Sequence, residues 1–391
     1  MNYNFDTVID RRNTNSLKYD FSESRGKPEG ILPLWVADMD FQAPSCVIDA
    51  LTDKSCHGIF GYSDTDDAYF AVLRNWFSRQ FGWKIEPDWL IKTPGVVNAI
   101  HIAVRALTEP GDAVIIQQPV YYPFASSVTT TGRKLVVSEL ALHDGRYLID
   151  FDDFEKKIAE NCVKLFILCN PHNPVGRVWT QDELMRLGDI CLRHGVFVIS
   201  DEIHADFVYS GYKHQVFAEL SPVIRNITIT CTAPSKTFNL AGLQISNIFI
   251  SNQKMRRAFL LEYSASGLSQ PGIMGIVACK AAYEGGEDWL EELRTYLSGN
   301  LDLLRDFLTH ELTHIGLIEP EGTYLAWLDC RGLELSPKEL DAFIIHKAGL
   351  WLDDGPMFGA GGDGFQRVNI ACPRPVLREA LTRLNKAVCQ K

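Results

Sequence analysis

The sequence predicts an α/β protein in which a large domain, with a mainly parallel central sheet flanked by helices, precedes a smaller α+β domain. Three observations carry this. Between residues 89 and 250, short β-branched apolar runs alternate with helical patterns, as strand–helix–strand units do. At Gly285-Gly286 that alternation stops and a long amphipathic period begins. The polar and conformationally special residues of the first region follow its strand-like runs, at the sheet edge where ligands bind in folds of this kind.

Residues 1–45 lack a regular period and form an N-terminal segment expected to pack with the small domain. Within it, Trp35-Val36-Ala37-Asp38-Met39-Asp40-Phe41 suits either a wall over a site or plain packing. The large domain is expected over 46–285. It begins with a short helix through Val47, Ile48 and Leu51, then an amphipathic helix over Asp67–Phe81, through Phe70, Leu73, Phe77 and Phe81, that Gly82 stops. Strands follow at 89–92, 113–117, 134–137, 163–169, 196–200, 226–231 and 244–250, with helices at 97–107 and Gln181–His194 among the connections. The small domain, 286–391, opens with a helix over 287–315 that aligns Leu297, Leu301, Leu304, Leu308, Leu312 and Ile315. Strands at 324–328 and 366–371 and helices at 337–347 and 375–387 complete it.

A 391-residue chain that is 46% hydrophobic has ample material for a packed core. The formal charge of −11 comes without a long acidic run, which argues against a nucleic-acid partner and for small molecules. No apolar leader opens the chain and no stretch reaches membrane-spanning length, so the expected location is the cytoplasm, away from membranes. The ten cysteines form no C-x-x-C pair, and Cys169, Cys191 and Cys279 sit in apolar runs, as reduced thiols do. One literal metal motif, His310-Glu311-Leu312-Thr313-His314, is set aside. His310 lies about 200° around the helix from Leu308, on the water side, and no third ligand follows. No metal is expected.

The centre of the sequence is Lys236, in Cys231-Thr232-Ala233-Pro234-Ser235-Lys236-Thr237-Phe238-Asn239-Leu240-Ala241-Gly242. The preceding strand stops at Cys231, and Pro234 forbids its continuation. A lysine among small, hydroxylic and apolar residues is partly desolvated, which favours the neutral amine that attacks carbonyl carbon. The alternative is a surface lysine in a turn. Against it stands the company on the same sheet edge: Thr93-Pro94-Gly95-Val96-Val97, Pro119-Val120-Tyr121-Tyr122-Pro123, Asn170-Pro171-His172-Asn173-Pro174-Val175-Gly176 and Asp201-Glu202-Ile203-His204.

An aldehyde cofactor held by Lys236 needs a carboxylate for its ring nitrogen, a donor for its ring oxygen, an anion site and an aromatic plate. Asp201, Asn173 and Tyr121 supply the carboxylate, donor and plate. Gly95, Val96 and Val97 open a helix whose N–H groups suit a phosphate, with a hydroxyl from either Ser235 or Thr232. Taken singly, each has an ordinary reading as a cap, a turn residue or packing.

The set N-P-x-N-P-x-G (Asn170 to Gly176), S-D-E-I-H (Ser200 to His204), S-K-T-F-N-L-A-G (Ser235 to Gly242) and R-V-N-I-A (Arg367 to Ala371) resembles pyridoxal-phosphate enzymes of fold type I, the aspartate aminotransferase fold. With W-V-A-D-M-D-F at Trp35 to Phe41, it is similar to the MalY/PatB branch of cystathionine β-lyases and cysteine-S-conjugate β-lyases. The resemblance implies pyridoxal 5'-phosphate as cofactor and a homodimer with its site at the subunit interface. It also implies Lys236 as the cofactor lysine, Arg367 with Asn173 on the substrate carboxylate, and Tyr62 reaching the partner subunit's cofactor phosphate. Two departures from the aminotransferase pattern are His204 where a tyrosine is usual beside the ring oxygen, and Gln244 where an arginine usually meets the phosphate. The implied activity is cleavage of L-cystathionine or a related cysteine S-conjugate. An aminotransferase and a regulatory protein on the same fold are the alternatives.

Overall fold

Seven strands form the central sheet of the computed structural model, which describes residues 3–268 and 270–391; Met1, Asn2 and Ser269 lie outside them. They are β1 (Leu90–Thr93), β2 (Ala113–Gln118), β3 (Lys134–Glu139), β4 (Leu165–Cys169), β5 (Phe197–Asp201), β6 (Thr228–Thr232) and β7 (Ser246–Ile250), in the order β1-β7-β6-β5-β4-β2-β3. Only β7 runs antiparallel to its neighbours. Every residue of β4, β6 and β7 is buried, because helices cover both faces.

Alternate strand residues point to opposite layers. Val114, Ile116, Ile167, Ile199 and Ile229 meet Ala99, Ile100 and Ala103 of the Val96–Leu107 helix, while Ile115, Phe166 and Val198 meet Leu184, Leu187 and Ile190 of the Gln181–His194 helix. Thr180 and Glu183 start the latter with a reciprocal capping box, and Gly195, at φ 65°, ends it. The Asp67–Phe81 helix starts on the Asp66 side chain and stops at Gly82, φ 67°. Helices at Phe151–Asn161 and Ile273–Gly285 add to those that periodicity picks out; the second is apolar nearly all round, so no stripe marks it.

The small domain carries a four-stranded antiparallel sheet: β8 (Gly316–Ile318), β9 (Leu325–Asp329), β10 (Asp353–Asp354) and β11 (Phe365–Asn369), in the order β8-β9-β11-β10. Its long helix is Glu287–His310, shorter than the expected 287–315. Glu311 and Leu312 both bond back to the Phe307 carbonyl, so the backbone winds off the helix axis while Leu312 and Ile315 stay in the core. His310 is therefore the last helical residue and His314 lies beyond it, both exposed, which breaks the one-face spacing that H-E-x-x-H requires.

Residues 3–45 run across the small domain. Leu32–Pro33 pairs in parallel with Leu350–Trp351, Asn369 N donates to the Leu34 carbonyl, and Asp40 N to that of Ala371. An ion cluster anchors this segment. Arg11 bonds Asp38 and Asp40 at 2.6 and 2.8 Å, and Lys18, fully buried, bonds Asp40 at 2.8 Å. No helix among the described residues is long and apolar enough to cross a membrane.

Because Lys18 has no water to fall back on, removing its charge leaves Asp40 buried with too little compensation. Lys18→Met should cost about 3 kcal/mol of stability, as for one partner of a buried pair. Urea unfolding of wild type and variant measures this, and a loss well under about 1 kcal/mol would show that Arg11 alone satisfies both carboxylates.

Candidate active site

Five strand ends converge on one cavity of about 280 Å³. Strand β1 leads through Pro94-Gly95 into the Val96–Leu107 helix, and β2 into the turn carrying Tyr121. Strand β4 leads into the loop with Asn173, β5 ends on Asp201, and β6 passes through Ala233 into the short Pro234–Thr237 helix that holds Lys236. Strand β7, running the other way, returns Gln244 and Ile245 to the same edge. The small domain adds Arg367 from β11 and Asp353 from β10, and Trp35, Val36 and Ala37 close one wall.

The Lys236 Nζ donates to the Ala37 carbonyl at 2.7 Å. Burial pulls its pKa down to about 8, and the Arg367 charge acts in the same direction. Asp201 is buried and has no ion-pair partner among the described residues; one oxygen accepts from Ile203 N at 3.2 Å. Burial pushes its carboxyl up to about 7. His204 is driven down to about 3 by burial, so its ring is neutral, and its Nδ1 has no partner. Asn173 accepts from Arg367 Nη1 at 3.0 Å, which leaves only its NH2 to donate elsewhere. At the other end of the cavity, Gly95 at φ 108° precedes the helix N-terminus, beside Asn98, Ser235 and Gln244. The Asn98 side-chain oxygen Oδ1 there is buried without a partner.

Of the residues singled out from sequence, Gly95, Val96, Val97, Tyr121, Asn173, Asp201, His204, Ser235, Lys236 and Arg367 line this cavity together. Thr232 does not. Its hydroxyl donates to the Asn247 carbonyl at 2.8 Å and faces a separate small cavity, so of the two candidate hydroxyls Ser235 is the one at hand. Tyr62 also stands apart, fully exposed on the loop before the Asp67–Phe81 helix. Trp35, from the segment that suited a wall, and Tyr122, from the turn after β2, line the cavity too, whereas sequence reasoning missed Asp353. The acid in the apolar run Gly349-Leu350-Trp351-Leu352-Asp353 was the one available signal.

These residues fit pyridoxal phosphate. A buried carboxylate without a cation suits a protonated ring nitrogen, and a desolvated amine suits an aldehyde. Residues 29–384 match the model of the family described as aminotransferase class I and II. The chain belongs to that family. It is 43% identical to cystathionine beta-lyase PatB of Bacillus subtilis, over 98% of this chain and 100% of the relative. Cystalysin from Treponema denticola, whose structure contains pyridoxal 5'-phosphate, superposes with a TM-score of 0.96 at 40% identity, over all of both chains. A pyridoxal-phosphate-bound C–S lyase from Staphylococcus hominis does so with a TM-score of 0.93 at 35% identity, over 99% of this chain and 98% of that one.

A lysine attacks an aldehyde only as the neutral amine, so the pH of reaction reports its environment. When cofactor-free protein is mixed with pyridoxal phosphate and then reduced with borohydride, peptide mapping should find the label on Lys236. The labelling rate should rise through about pH 8 and then level. A rate still climbing near the ordinary lysine value of 10.5 would show that the amine is solvated.

Proposed function

We propose that this protein is a pyridoxal-phosphate-dependent carbon–sulfur lyase, which with water converts L-cystathionine or a related cysteine S-conjugate to a thiol, pyruvate and ammonia. The observation that carries the proposal is the convergence of a partly buried amine, Lys236, and a buried unpaired carboxylate, Asp201, on one cavity that Arg367 also enters. The bound cofactor supplies an aldehyde that condenses with amines and a ring that takes up the electron pair left at the substrate Cα.

The chain's own residues do the rest. Asp201 holds a proton at the ring nitrogen, where its charge is no longer unpaired. Tyr121 covers the ring face, Asn173 donates to the ring oxygen, and neutral His204 lies beside them. The Val96–Leu107 helix N-terminus, Ser235 and Gln244 hold the phosphate without the usual arginine. Arg367 would bind the substrate carboxylate and so orient the Cα–H bond for proton removal. Lys236, in its amine form, takes the Cα proton, and the thiolate departs from Cβ. The same reading makes the enzyme a cytoplasmic homodimer. Ile59, Phe60 and Tyr62 expose large side chains on one loop, which supports a partner subunit there, and on this reading Tyr62 would meet that subunit's cofactor phosphate.

Incubation with cystathionine and a panel of cysteine conjugates tests the reaction type. Thiol and pyruvate should appear in equal amounts without any added 2-oxo acid, whereas turnover that requires such an acceptor would make the enzyme an aminotransferase. Asp201→Ala should retain some cofactor but lose most elimination, because an unprotonated ring withdraws electrons poorly. Near-normal turnover in that variant would reduce Asp201 to a structural role. Arg367→Lys replaces two parallel bonds with a single ammonium. It should lower kcat/KM by about 1.5–3 kcal/mol, mainly through KM, while the cofactor band stays intact. Loss of the cofactor instead would remove Arg367 from the substrate site.

A further inference from the structure

Arg367 has already committed the nitrogen that a carboxylate needs. Of its three nitrogens, Nη1 donates to Asn173 at 3.0 Å, and Nη2 donates to both the Trp35 carbonyl, at 2.9 Å, and the Asp353 carboxylate. Nε has no partner. A carboxylate binds guanidinium bidentately across Nη1 and Nη2 or across Nε and Nη2, so both forks require an Nη2 hydrogen. Both of those hydrogens are taken. The Trp35 carbonyl cannot easily yield, since Asn369 holds the next carbonyls of the wall, Val36 and Asp38, at 2.8 and 2.6 Å. Asp353 is a side chain on a two-residue strand, lines the same cavity, and needs only a rotamer change to withdraw.

A receiver stands nearby. Lys27 is half-buried over the Trp351 ring, 5.6 Å from its centroid, and Trp351 stacks on Trp35 at 4.4 Å. Its charge acts on Asp353, yet it makes no salt bridge among the described residues. Two carboxylates on one buried guanidinium repel each other, so a substrate carboxylate gains its full bond only when the resident acid moves to another cation.

We infer that Asp353 is an internal competitor for the substrate's α-carboxylate: it occupies Arg367 in the empty site and is passed to Lys27 when an amino acid docks. Asp353 and Lys27 are thus positioning residues that set substrate affinity through Arg367. The inference rests on the reading of Arg367 as the carboxylate site.

The test is equilibrium binding to the holoenzyme, read from the absorbance of the bound cofactor. The probes are L-alanine, which has no Cβ leaving group, and ethylamine, the same molecule without its carboxylate. Asp353→Asn should tighten L-alanine by about tenfold, the size of one charge-assisted bond released, with much less change for ethylamine. Lys27→Met keeps an apolar stem on Trp351 but offers no cation, and should weaken L-alanine several-fold relative to ethylamine. Equal shifts for both probes in both variants, or weaker L-alanine binding in Asp353→Asn, would overturn the exchange. Should Asp353→Asn not fold, the Lys27→Met ratio decides alone, and an unchanged ratio rejects the exchange. Arg367→Lys separates the two readings. If it leaves L-alanine binding untouched, the carboxylate assignment itself falls; if it weakens L-alanine while the other variants behave as wild type, only the exchange does.

Discussion

The partly desolvated amine of Lys236 is the constraint on which the site depends. Taking an ammonium out of water is expensive, and the protein meets that cost with one carbonyl, Ala37, rather than with a carboxylate. A carboxylate partner would have fixed the proton on the lysine; a carbonyl leaves it removable. That choice requires the carbonyl to stay in place. Tyr324 also donates to Ala37 at 3.1 Å, Asn369 grips the carbonyls of Val36 and Asp38, and Asn239 grips those of Met39 and Phe41. Asn239 lies three residues after Lys236, so the turn that presents the amine also holds the wall that receives it.

Charge in the cavity is arranged by the same logic. Asp201 is left without a cation, Arg367 is already neutralised by Asp353, and His204 is held neutral by burial. The pocket therefore carries little net charge of its own.

Much of this was legible in the sequence, for physical reasons that can be named. Strands buried on both faces read as continuous apolar runs, and the residues placed after them had to lie on one edge. The bounds of Asp67–Phe81 and Gln181–His194 were readable because their caps are local: Asp66 and Gly82, Thr180 and Gly195. What escaped depends on pairing across the chain. Asp353 meets Arg367 through the register of β10 on β11, which no local pattern encodes. The orientation of Thr232 follows from the Asn247 carbonyl of β7 beside it. The early end of the Glu287–His310 helix reflects a backbone that turns while its leucines stay buried, and apolar spacing alone cannot show that.

The bond from Arg367 to the Trp35 carbonyl spans 332 residues of chain. Synthesis proceeds from the N-terminus, so the wall is made early and lacks its last clamps, Arg367 and Asn369, until β11 has left the ribosome. The large sheet has all its strands well before then, and Asn239 is already present to hold the carbonyls of Met39 and Phe41. The wall beside Lys236 is thus completed only when the small domain has folded, which ties the finished site to the longest-range contacts of the chain.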